Sequence, residues 1–214
     1  MKHKAPYLVL SILALGLTSC GTKTPPTAVS WLLIDPASTS IHTEEQKAFL
    51  SSEDPAGWVT ERLETLGAAS NSAPAPIFID SKATADNKAK ANSYTLDIYE
   101  GDNHTTLSSD KSQFEVYNLK VDTEYSYKVT AHYNEGVSFS SDSKSFKTDK
   151  ELIRNLKVDG VENFRDLGGW TTSLGKIKQG MLYRSAEFNG DNGSVPTEEG
   201  LRIIKEDLKI KSDI

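Results

Sequence analysis

The sequence predicts an all-β sandwich followed by an incomplete α/β segment, the whole carried behind a removable leader. Three observations predict this. Apolar and polar residues alternate with a period of two in several short runs between Ile77 and Thr148. Helical spacing is confined to two stretches, near 55–66 and 197–208. The first 20 residues have the layout of an export signal. At roughly 150 residues per domain, 214 residues make one large unit or two small ones. The 24 Lys+Arg against 30 Asp+Glu give a net charge of −6, which argues against nucleic acid as a partner, because phosphate backbones are bound by clustered cations. A single cysteine excludes an internal disulfide and a Cys-rich zinc site.

Lys2, His3 and Lys4 precede an apolar stretch from Tyr7 to Leu17 that is too short to span a bilayer, which needs about 20 such residues. Residues 1–19 are thus expected to be a signal peptide. Leu17-Thr18-Ser19-Cys20 resembles the lipobox of bacterial lipoproteins. That resemblance implies cleavage before Cys20, a lipid-bearing Cys20 as the membrane anchor, and a body held outside the cytoplasm on the bacterial cell envelope. Loss of Lys2 and Lys4 makes the body more acidic, which keeps it off anionic headgroups. Residues 20–28, with two prolines, read as a lipidated tether.

The body is expected to begin with a strand at Val29–Ile34, around Trp31 and closed by Asp35-Pro36. Between Thr43 and Leu66, apolar residues fall partly at helical spacing. A helix is expected from Pro55, a favoured first-turn residue, to Leu66, with Gly67 as its stop. Residues 68–76 read as a loop. Strands follow at Tyr94-Leu96-Ile98, at Phe114 and Val116, and from Tyr125 to Tyr133, each with alternate residues inward. Turns lie at 100–103, 108–110 and 134–136, and a last strand ends at Ser145-Phe146-Lys147-Thr148. Regular short strands of this kind predict an antiparallel sandwich over 29–148, with its core at 77–148.

Phe114 to Leu119, then Thr123-Glu124-Tyr125 and Val129-Thr130-Ala131, resemble the tyrosine corner of fibronectin type III domains. In that corner a tyrosine hydroxyl bonds backbone a few residues upstream. The front of the domain departs from the pattern, with no Trp on the second strand. Trp31 then falls on a first strand, and Thr43–Leu66 becomes an insertion. Such modules serve as spacers or as binding surfaces.

Beyond residue 148 the texture changes. Gly168-Gly169 offers a free left-handed position, and Ser173-Leu174-Gly175 is a turn between short strands. Thr197 can cap a helix that carries Glu198 and Glu199 at its positive end, with Leu201, Ile204 and Leu208 as its apolar stripe. Lys209–Ile214 reads as the start of another strand.

Asn163-Phe164-Arg165-Asp166-Leu167-Gly168-Gly169, Gly180-Met181-Leu182-Tyr183-Arg184-Ser185 and the Thr197 helix together resemble the opening of bacterial tyrosine and dual-specificity protein phosphatases. The resemblance makes residues 149–214 the first part of such a domain. It implies hydrolysis of phosphate monoesters on a protein or phosphoinositide through a phospho-cysteine, with no cofactor. His3, His42, His104 and His132 have no ligand spacing, so no metal site is expected. The family's His-Cys-x-x-Gly-x-x-Arg loop does not occur in these residues, and Cys20 is in a signal context. No catalytic residue is therefore expected here, and the chain reads as a fragment that is inactive alone. Arg165, Asp166 and Arg184 correspond to framework positions near the family's phosphate pocket. The alternatives for them are Arg184 facing substrate, or an ion pair from Arg165 or Arg184 to Asp166. The competing reading of the whole is a non-enzymatic surface lipoprotein with a binding or spacer sandwich.

Overall fold

The structure, a computed structural model, describes residues 24–66, 73–188 and 194–212. The signal peptide, Cys20, the expected helix stop at Gly67 and residues 189–193 lie outside the described residues. Strand β1 (Val29–Ile34) pairs antiparallel with β2 (Ile77–Ala85), which pairs with β5 (Gln113–Val116). A second sheet runs in the order β4 (Asn103–Ser109), β3 (Ser93–Glu100), β6 (Glu124–His132), β7 (Ser138–Ser140), and β8 (Lys144–Lys147) also pairs with β6.

The two sheets bury one core between them. Ile77, Ile79, Phe114 and Val116 of the first meet Leu96, Ile98, Tyr125, Tyr127, Val129 and Phe146 of the second. Alternation dictates this, since successive side chains on a strand face opposite ways. Along β6, Tyr125, Tyr127, Val129 and Ala131 are buried while Glu124 and Lys128 are exposed. The Tyr125 hydroxyl accepts a hydrogen bond from Lys120 N at 2.9 Å, fixing the loop that enters β6. Burial raises the Tyr125 pKa to about 12.

Trp31 lies on β1, and the connection between β1 and β2 holds two helices, α1 (Glu44–Ser51) and α2 (Pro55–Leu66). α1 starts at a capping box in which Thr43 and Gln46 satisfy each other's backbone N–H groups. The pair is joined by an edge-on Phe49–Trp58 contact at 5.4 Å and by the Arg62–Glu45 ion pair.

The tether differs from expectation. Thr27 donates from its backbone N and its hydroxyl to Asp86, Asn87 Nδ2 donates to Thr24 O, and Pro26 is buried. Residues 24–28 therefore belong to the folded body, because the turn after β2 supplies partners for their backbone.

After β8 the chain makes a small antiparallel sheet in the order β13 (Tyr183–Arg184), β10 (Arg165–Asp166), β9 (Arg154–Asn155). A hairpin of β11 (Thr171–Thr172) and β12 (Gly175–Lys176) lies between β10 and β13 in sequence. Gly169 has φ +93, as its position required, whereas Gly168 is needed for space, since a Cβ there would strike the backbone of Lys178 and Gln179.

Helix α3 (Glu198–Arg202) is capped by the Thr197 hydroxyl, which accepts from Gly200 N at 3.1 Å, and continues as a wider π turn over Ile203–Asp207. The widening shifts the apolar stripe. Ile204 is buried and Ile203 and Leu208 pack on the second core, but Leu201 is exposed. The strand expected from Lys209 does not form among the described residues. Lys209 takes a left-handed φ of +56 and Ile210 N donates to Ile204 O, so 209–212 close the helix.

Candidate functional site

Asp166 is the most enclosed charged group of the carboxy-terminal segment, at 0% exposure. Its Oδ1 accepts from Gly168 N at 2.7 Å, and its Oδ2 accepts from Gly180 N and from Arg154 Nη1, each at 2.6 Å. Arg154, 3% exposed, donates in addition from Nε to Leu119 O (2.9 Å) and from Nη2 to Asn118 O (2.5 Å). A buried carboxylate is tolerable only when its lone pairs are filled in this way. The pair closes the loop from β10 to β13 and at the same time grips the loop that enters β6.

Two side-chain amides extend that junction. Asn118 donates to Lys157 O and accepts from Lys157 N, at 2.9 and 2.7 Å. Gln179 accepts from Val121 N and donates to Val121 O, each at 2.9 Å. Asp122 adds ion pairs to Lys147 (2.7 Å) and Lys176 (3.2 Å), and hydrogen bonds first from Lys147 and then from Lys176 hold its carboxyl below the usual value.

The expected ion pair from Arg165 or Arg184 to Asp166 is corrected. Arg165 precedes Asp166 on the same strand and so faces the other way, and Arg184 is the cross-strand partner of Arg165. Arg154 is the cross-strand partner of Asp166 and takes the pair. The sheet thus divides the three sequence candidates. One face carries Asp166, Tyr183 and Arg154. The other carries Arg165 beside Arg184, with Asn155 across from Arg165.

Among the described residues, no hydrogen bond or ion pair reaches either of these two guanidiniums, and Arg165 Nε is buried without a partner. Two like charges directly opposite on neighbouring strands oppose pairing unless an anion lies between them. Chemically, that face offers a planar, multi-donor anion contact and no nucleophile.

Arg154 was not among the sequence candidates; it lies outside the phosphatase-like motif, and only strand register reveals it. His42 is buried, with Nε2 2.6 Å from Ile153 O. No group of three or more His, Cys, Asp or Glu converges as a metal site among the described residues, and no described helix is long and apolar enough to cross a membrane.

Residues 156–214 match the model of the tyrosine phosphatase family. The match begins just after Arg154 and Asn155 and includes β10, β13 and α3. It supports a phosphatase segment at this end of the chain and, in general terms, a phosphorylated substrate. No curated protein matches the chain.

Proposed function

We propose that the protein is an envelope lipoprotein, anchored through Cys20, whose carboxy-terminal segment is the opening of a tyrosine or dual-specificity phosphatase domain that hydrolyses phosphate monoesters. The observation that carries this reading is the family match over 156–214. The unpartnered Arg165–Arg184 pair on one face of its sheet is consistent with it, as a guanidinium pair suits a phosphoryl group. The only cysteine in the sequence is Cys20, so the thiolate that attacks phosphorus is supplied from outside these 214 residues. In this reading Arg154 and Asp166 are framework, not chemistry. The sandwich is read as fibronectin type III-like, supported by its two packed antiparallel sheets, of three and five strands, and by the Tyr125–Lys120 bond.

The test has two arms. The gene is read past codon 214 for an in-frame His-Cys-x-x-Gly-x-x-Arg, and the 214-residue chain is assayed on an aryl phosphate. The expected result is a downstream loop and no turnover by the chain alone. A stop codon at that point favours the non-enzymatic lipoprotein, and thiol-dependent turnover by the chain alone refutes the assignment of the nucleophile.

A further inference from the structure

The described chain begins fastened. Thr27 N and Oγ1 donate to the two oxygens of Asp86 at 3.2 and 2.5 Å, Asn87 Nδ2 donates to Thr24 O at 3.0 Å, and Asp86 N donates to Ala28 O at 3.0 Å. Only Gly21, Thr22 and Lys23 separate Cys20 from the first fastened residue. Four residue steps reach at most ~14 Å.

The phosphatase segment departs from the opposite end of the sandwich. β2 ends at Ala85 beside the fastened residues, and Asn92 N donates to the carbonyl of His132, the last residue of β6. Glu124, the first residue of β6, pairs with Lys147 at the end of β8, where the chain leaves for Arg154. The nine residues of β6 span roughly 30 Å at about 3.3 Å each. At that far end Arg154, Gln179 and Asn118 fix the segment by two bonds each, and Asp122 by one ion pair to Lys176. The sandwich is therefore longer than the tether is, and both residues 24–28 and the phosphatase segment are bonded to it.

We propose that the sandwich is a rigid stand-off that points the phosphatase segment away from the membrane holding Cys20. The phosphorylated groups it meets are then borne by proteins or peptides of the surrounding compartment, not by headgroups of the anchoring bilayer. This rests on the anchoring and phosphatase readings above. The competing posture lays the sandwich on its first sheet, whose outer face exposes Leu32, Ile34 and Phe78. Asp80 is the register partner of Ile34 and Glu115 that of Phe78, against Lys82 opposite Leu32 and Lys157 over the Tyr117 ring beside Glu115, so that face has no excess of cations to draw anionic headgroups.

The test uses the lipid-anchored full chain in phosphatidylcholine–phosphatidylglycerol vesicles that contain a headgroup-labelled acceptor. A fluorescent donor is attached through Lys90→Cys, beside the fastened residues, or through Leu174→Cys, at the 99% exposed tip of the β11–β12 hairpin. In the anchored chain the Cys20 thiol is consumed, so each variant has one reactive thiol. The donor at position 90 is expected to lose most of its emission to the acceptor, and the donor at position 174 to keep most of its own. Equal, strong loss at both positions overturns the stand-off and favours headgroup substrates. A chain that stays in the aqueous phase of a detergent partition overturns the anchor and the stand-off together, which separates that failure from the first.

Discussion

Asp166→Ala removes a carboxylate that receives three donors, and the cost follows from what is left behind. The Arg154 guanidinium would remain buried without its counter-charge, and the N–H groups of Gly168 and Gly180 would lose their acceptor. Breaking a buried pair from one side costs about 3–5 kcal/mol. For a chain of this size a loss of 1 kcal/mol lowers Tm by roughly 2–4 °C, so the midpoint is expected to fall by about 10 °C.

Asp166→Asn is no rescue. Whichever way the amide is turned, its NH₂ faces a donor: Gly168 N at one oxygen position, or Arg154 and Gly180 N at the other. Arg154→Met strands Asp166 and also frees the carbonyls of Asn118 and Leu119. The double variant Arg154→Met/Asp166→Ala is expected to cost clearly less than the sum of the single ones, since neither leaves an opposite charge to strand. Urea unfolding of the four proteins measures this, with Trp31 in the sandwich and Trp170 in the segment as reporters. Strict additivity of the two substitutions, or an Asp166→Ala protein within about 1 kcal/mol of the parent, refutes the assignment of the clasp.

Tyr125→Phe leaves Lys120 N without its acceptor and is expected to cost about 1–3 kcal/mol in urea unfolding. Asp122→Asn is expected to flatten the acid limb of a Tm-versus-pH curve. A carboxyl with a lowered folded pKa stabilises fully above its unfolded value, near 3.9, and that contribution disappears as pH falls through the lower folded value. Gly200→Ala, which in an ordinary helix would gain about 1 kcal/mol, is expected to lower Tm because the new Cβ would strike the carbonyl oxygen of Asp159.

Much of the sandwich was legible because alternation carries it. The buried positions of β3, β5 and β6 follow from period two, α2 starts at the proline expected to open it, and β1 ends where Asp35-Pro36 closes it. α1 was missed although its signal was present: Thr43-Glu44-Glu45-Gln46 is a capping box, hidden by a weakly apolar face. β4, with the sequence Asn-His-Thr-Thr-Leu-Ser-Ser, has no apolar alternation and is defined by its pairing with β3.

At the candidate site, residue types were readable and partnerships were not. Arg165, Asp166 and Arg184 were found from the motif, but which arginine meets Asp166 depends on the register of three two-residue strands. No local pattern sets that register. The same limit explains Leu201, whose place in the stripe assumed a helix of constant pitch.

The side-chain amides of Asn118 and Gln179 each bind one residue's N–H and C=O, as a neighbouring strand would. Sandwich modules are commonly exchanged between proteins as interchangeable beads, and these two amides remove that freedom. A donor module of equal stability would present other loop groups to Lys157 and would offer no matching backbone at Val121. For gene fusion and recombination, the boundary between Thr148 and Arg154 is therefore a poor place to cut, and the sandwich is inherited together with the segment it holds.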